Sequence, residues 1–186
     1  MTLGFRVKSG WAAAVLLTNS RSAPTVVDSR IVELADPAVP HARQPYHAAI
    51  GTAQTDAATV KTLVRGIEQF SRRAIKALVT EYREHGPLRR AAVVVASLTD
   101  PAGIGNQHMR AHASEGQLFR RVLVEALERS GMKVRVVLER EVYMLLGKKV
   151  RGSPTIAKRK VSGVGKDLER WRAEQKAAAA GAWLVG

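Results

Sequence analysis

Within the segment HMRAHASEGQLFR, His108, His112 and Glu115 stand four and three positions apart. On a helix these spacings put all three side chains on one face, and a histidine pair at i, i+4 is a metal-ligating geometry when a third donor is near. Zinc or manganese would suit such a set, with Asp100 or His47 completing it. The motif is not HExxH, because Met109 stands where that motif requires Glu. Histidines in a first helical turn equally cap the helix or pack against the preceding loop, and Arg110 and Arg120 close by favour an anion over a cation. The candidate catalytic residues are His47, His108, His112 and Glu115, and the metal-ligating subset is His108, His112 and Glu115. A divalent metal is the one cofactor this cluster suggests; none is otherwise predicted.

A second cluster is RQPYHAA, in which Arg43, Gln44, Tyr46 and His47 gather several donors and one aromatic ring. Tyr46 could stack on a base, or Pro45 and Tyr46 could simply pin the chain to its core. A third is GFRVKSG, where strand alternation sends Arg6 and Lys8 to one face with Gly4. Two cations beside a Gly turn suit a phosphate or carboxylate. The bland alternatives are a charged strand edge or pairing of Arg6 with Asp28 or Glu33. A fourth is the segment 147–166, which carries Lys148, Lys149, Arg151, Lys158, Arg159, Lys160 and Lys166 and no acid. With Gly, Ser and Pro throughout, it is expected to be an irregular basic arm for a phosphate backbone. The candidate nucleic-acid or anion-binding residues are thus Arg6, Lys8, Arg43, Tyr46, Arg110, Lys148, Lys149, Arg151, Lys158, Arg159 and Lys160.

Elements must carry these groups, and a chain of 186 residues with a 46% hydrophobic content has room for one full core, so a single domain over 1–186 is expected. The formal charge of +14 favours polyanionic partners. Absence of cysteine removes disulfides, thiolate metal sites and a cysteine nucleophile, and fits a cytoplasmic location. Arg6 and Lys8 followed by WAAAVLL imitate a short secretory signal, but the run reads better as a strand. No stretch approaches the roughly 20 apolar residues needed to span a bilayer.

Residues 3–8, 11–18 and 25–34 read as an antiparallel meander. Residues 36–56, with three prolines, read as a long ordered loop. Helical spacing runs from Ala57 to about His85, and AAVVVASL (91–98) is a continuous apolar run of the kind found in a strand covered on both faces. A helix over 108–129, the strand KVRVVL (133–138), a short helix or turn at 139–147 and a final helix in KDLERWRAEQKAAAAGAWLV follow. The expected fold is α/β: three antiparallel strands, then helix, strand, helix, strand, helix, around one mixed sheet.

This order resembles the ribonuclease H-like superfamily, nearest its Holliday-junction-resolvase branch, in which a first strand of the type GIDxG leads into the meander. The helical segment RAHASEGQLFRRVLVEALERSGMKVRVV is similar to the one that follows the fourth strand there. RQPYHAA and HMRAHASEGQLFR also resemble segments of a group of bacterial proteins, a likeness that supplies no function. Nucleases of the superfamily hold two divalent ions about 4 Å apart on clustered carboxylates. Here Arg6 stands at the first acid position, Ser97 near the second with Asp100 a few residues late, and only Asp167, Glu169 and Glu174 stand near the last pair. A cation at the first ligand position repels a divalent ion. The resemblance therefore implies the fold and not the two-metal activity. The expected function is a non-catalytic or atypical nucleic-acid-associated domain, in effect a resolvase-like pseudoenzyme. The rival is a metal- or histidine-dependent enzyme using Tyr46, His47, His108, His112 and Glu115, and a further alternative is an interaction domain, a homodimer included, that binds no nucleic acid.

Overall fold

Thr2–Lys8 (β1) and Trp11–Leu17 (β2) pair antiparallel across the turn Ser9-Gly10, where Gly10 takes a φ of 83°. Only glycine accepts that conformation at no steric cost, so the apolar run stops and doubles back here. Val26–Glu33 (β3) extends the meander on the far side of β2. Arg90–Val95 (β6) lies parallel to β1, and Lys133–Leu138 (β7) lies parallel to β6, giving the order β3-β2-β1-β6-β7. The structure is a computed structural model that describes residues 1–18, 20, 23–49 and 51–186.

Helices cover both faces of this mixed sheet, as parallel pairing at its centre requires. On one face Ala57–Arg83 (α1) and Gln107–Arg129 (α2) pack on Leu3, Phe5, Val93 and Val95. Asp56 and Asn106 cap these helices by accepting from backbone N–H groups of their first turns. On the other face Glu139–Lys149 (α3), Pro154–Val164 (α4) and Ala173–Val185 (α5) enclose Val15, Leu17 and Val94. β1 is therefore central and buried, with its odd residues toward α1 and α2 and its even residues toward the C-terminal helices.

The expected order of elements is present, with three local differences. Segment 147–166 is not an irregular arm: α3 runs to Lys149, and α4 occupies most of the remainder. Ser153 caps α4, Pro154 takes a first-turn position, and Ala157 and Val161 bury one stripe while Lys158, Arg159 and Lys160 stay exposed. Basic composition masked this amphipathic pattern. The last helix begins only at Ala173, and the loop 36–56 includes a small hairpin, His47–Ala49 (β4) with Thr52–Ala53 (β5); its Ile50 lies outside the described residues. Among the described residues no helix is long and apolar enough to cross a membrane.

The run AAAAGA explains how close α5 comes to the sheet. A Cβ added at Gly4 would stand 1.9 Å from the Ala178 carbonyl oxygen and 2.7 Å from the Ala182 nitrogen. Backbone meets backbone here because neither side carries bulk. Gly4→Ala is expected to lower unfolding stability by about 3 kcal/mol, since overpacking against main chain can relax only by moving α5. Urea denaturation of the variant against the parent chain measures it.

Candidate functional site

His47 opens β4, and the loop before it descends through successive turns, with Ala38 N–H bonded to Asp36 and His47 N–H bonded to the Gln44 carbonyl. Ala42 and Pro45 are buried along this path, which lays the loop over the first turns of α2. There His47 Nδ1 lies 2.7 Å from Glu115 Oε1, and His47 Nε2 lies 3.3 Å from His108 Nδ1. His112 Nε2 lies 3.2 Å from His108 Nε2, and His112 Nδ1 is 3.7 Å from Glu115 Oε2. Taking one ring nitrogen from each, His47, His108 and His112 lie within 4.8 Å of one another. The helical pair and the loop histidine thus converge.

Glu115 is wholly buried and His47 nearly so, whereas His112 is about half exposed. Burial raises the Glu115 carboxyl above the ordinary carboxylate range, opposed by its bonds from His47 and the Tyr46 backbone. His112 is held below the ordinary histidine value, first by desolvation and then by the neighbouring His47 and His108. Glu115 Oε2 has no hydrogen-bond partner among the described residues.

A cleft of about 390 Å³ opens beside this cluster, at the carboxyl ends of β1 and β6. Open α/β sheets place ligands outside such strand ends, where the connections diverge. Arg6, Lys8, Ser9, Ser97, Thr99, His112 and Arg120 contribute to its walls, and among the described residues lining it there is no Asp or Glu. The fold family's two-metal centre does not fit these walls. Ser97 bonds Thr99, Asp100 caps the turn Pro101–Gly103, and Glu174 faces Lys8 at 3.6 Å. Asp167 and Glu169 are exposed and precede α5.

Arg6 and Lys8 do share a face, but not as an open pair of cations. The Arg6 guanidinium is buried, donates to the Val7 carbonyl and meets Glu139 Oε2 at 2.6 Å. Glu139 is the partner that sequence reading missed: Asp28 instead serves Arg30 and Tyr82, and Glu33 serves Arg43. An acid in the first turn after the last strand was the available signal. Arg43 lies against Gly10, Arg110 bonds the Gly105 carbonyl, and Tyr46 is half-buried on the core with its hydroxyl pushed up by burial. Arg120 bonds the Ser97 carbonyl at the cleft wall. Lys158 stands over the Tyr143 ring, Lys149 reaches the Leu184 and Gly186 carbonyls, and Lys148, Arg151, Arg159 and Lys160 are exposed on or beside α3 and α4.

Two solved structures are similar over nearly the whole chain. One is Thermus thermophilus RuvC, at 13% identity and a TM-score of 0.52, covering 98% of this chain and 90% of that one. The other is RuvC of the same organism in complex with a Holliday junction substrate, at 14% identity and a TM-score of 0.57, covering 98% and 89%. The chain shares their ribonuclease H-like fold. No protein-family model and no curated protein matches the sequence. At these identities the ribonuclease H-like scaffold is what is shared.

Two consequences are measurable. Glu139→Gln leaves the Arg6 charge buried without its counter-ion and is expected to cost about 2 kcal/mol in urea denaturation, less when combined with Arg6→Met. The depressed His112 pKa contributes stability that is complete above the ordinary value of 6.5 and is lost as the pH falls through its folded value. Melting temperature should therefore fall on acidification below about pH 6.5 in the parent chain, and less steeply in His112→Gln.

Proposed function

We propose that this chain is a nucleic-acid-associated protein in which the cleft at the ends of β1 and β6 seats a phosphate backbone without two-metal chemistry. The observation that carries the reading is the lining: Lys8 and Arg120 stand at its walls, Arg6 behind them is neutralised by Glu139, and no carboxylate faces in among the described residues. Such walls attract an anion and offer a divalent ion no carboxylate ligand.

Further support comes from charge and fold. The net charge is +14, and exposed Lys158, Arg159 and Lys160 follow one another on α4. The similar resolvase structure contains a Holliday junction, and a fold of this shape can accommodate such a polymer. The side chains named here contact by charge, so the binding is largely independent of sequence. Because Arg6 is buried and paired, its role is to build the wall.

Titration of labelled duplex DNA, four-way junction DNA and RNA at about 50 mM and about 200 mM salt tests the reading. Affinity should fall steeply with salt, and the triple variant Lys158→Ala, Arg159→Ala, Lys160→Ala should reduce the logarithmic salt slope by roughly 2 to 3. Lys8→Ala with Arg120→Ala should weaken binding to every polymer alike. Binding that ignores salt, or no binding by a chain that runs as a dimer, would favour an interaction domain instead. Magnesium-dependent cleavage would overturn the loss of two-metal chemistry.

A further inference from the structure

Of His47, His108, His112 and Glu115 only His112 lines the cleft, and with Glu115 ionised and all three rings neutral the hydrogen bonds of this cluster do not close on themselves. A neutral imidazole has one N–H and one lone pair. If His47 Nδ1 donates to Glu115 Oε1, its Nε2 can only accept, so His108 Nδ1 must donate to it. His108 Nε2 then accepts from His112 Nε2, which leaves the lone pair of His112 Nδ1 facing Glu115 Oε2, 3.7 Å away. Two acceptors end the chain, and Glu115 Oε2 is the buried oxygen that has no partner among the described residues.

A bound cation removes the conflict. With a metal on Nε2 of His47 and on Nε2 of His112, the His47 proton stays on Nδ1 and the His112 proton moves to Nδ1, so that each Nδ1–H faces one oxygen of Glu115. A ligating histidine that gives its other N–H to a carboxylate is the usual outer-shell arrangement of zinc sites. His108 offers the third nitrogen from the same helical face, one turn before His112. Zinc–nitrogen bonds of about 2.0–2.1 Å in tetrahedral geometry separate ligand nitrogens by roughly 3.3–3.4 Å. The two observed contacts between rings are 3.3 and 3.2 Å. His108 meets His47 with Nδ1 and His112 with Nε2, so ligation by all three requires the His108 ring to present one nitrogen to both; the candidate ligand nitrogens lie within 4.8 Å of one another.

We propose that His47, His108 and His112 bind one divalent transition ion of the zinc class, with Glu115 as the positioning residue for His47 and His112. Imidazole nitrogens select such an ion over magnesium, which prefers oxygen. His112 also lines the cleft, so the ion adjoins its wall. The sequence offered His108, His112 and Glu115 as ligands with Asp100 or His47 completing the set; the geometry favours His47 as the third ligand, with Glu115 behind the rings of His47 and His112.

Calorimetric titration of chelator-stripped protein with Zn²⁺, and with Co²⁺ followed by its visible absorption, tests this. The expected result is one equivalent bound, an ion-dependent rise in melting temperature, and at least tenfold weaker binding in His108→Ala and in His112→Ala. Glu115→Gln should weaken binding about 10- to 100-fold while keeping the stoichiometry. Should that buried variant fail to fold, the His112→Ala comparison stands, since His112 is half exposed. Absence of saturable Zn²⁺ and Co²⁺ binding by the folded parent chain, unchanged affinity in both histidine variants, or equal affinity for Mg²⁺ would overturn the proposal.

Discussion

A guanidinium in the middle of a sheet cannot remain without a counter-charge, and the pairing of Arg6 with Glu139 satisfies that constraint for the whole cleft end of this molecule. It ties the central strand to the junction of β7 and α3, 133 positions along the chain. It also decides what the cleft can hold. With Glu139 turned onto Arg6 and Glu174 facing Lys8, the carboxylates near the strand ends are engaged with cations, and none is left on the walls among the described residues. A scaffold similar in shape to a junction-bound resolvase presents here a cleft lined by Lys8 and Arg120 and, among the described residues, by no carboxylate.

The second chemistry sits on the opposite side of β1. Leu3, Phe5 and Val7 pack toward α1 and α2, and α2 brings His108, His112 and Glu115 to the cleft's edge, where the loop hairpin supplies His47. Strand alternation thus separates a cationic face from a histidine face by one residue of register. His112 belongs to both the cluster and the cleft, so the two features are neighbours and not a single centre.

Much of the scaffold was legible because its signals are local. The apolar run 91–98 marked the covered strand, Ser9-Gly10 the hairpin, and the spacing of Ile67, Ile75 and Val79 the buried stripe of α1. What failed to show was set by context. The helix α4 hid behind a basic composition because only Ala157 and Val161 mark its buried stripe. Before α5 starts at Ala173, the Trp171 ring stands where a Cβ at Gly165 would go, a contact that spacing along the chain does not show.

By itself the sequence determined the order of the five strands of the main sheet and of α1 and α2, the single face shared by His108, His112 and Glu115, and the excess of positive charge, since each depends on spacing or counting along the chain. Tertiary structure alone decided the partners. Glu139 for Arg6, Glu33 for Arg43 and His47 for Glu115 are choices among several acids and histidines of equal chemistry. The sheet order brings together strands and loops that are far apart in sequence, and for Arg6 and for Glu115 burial then makes one pairing stronger than its exposed competitors.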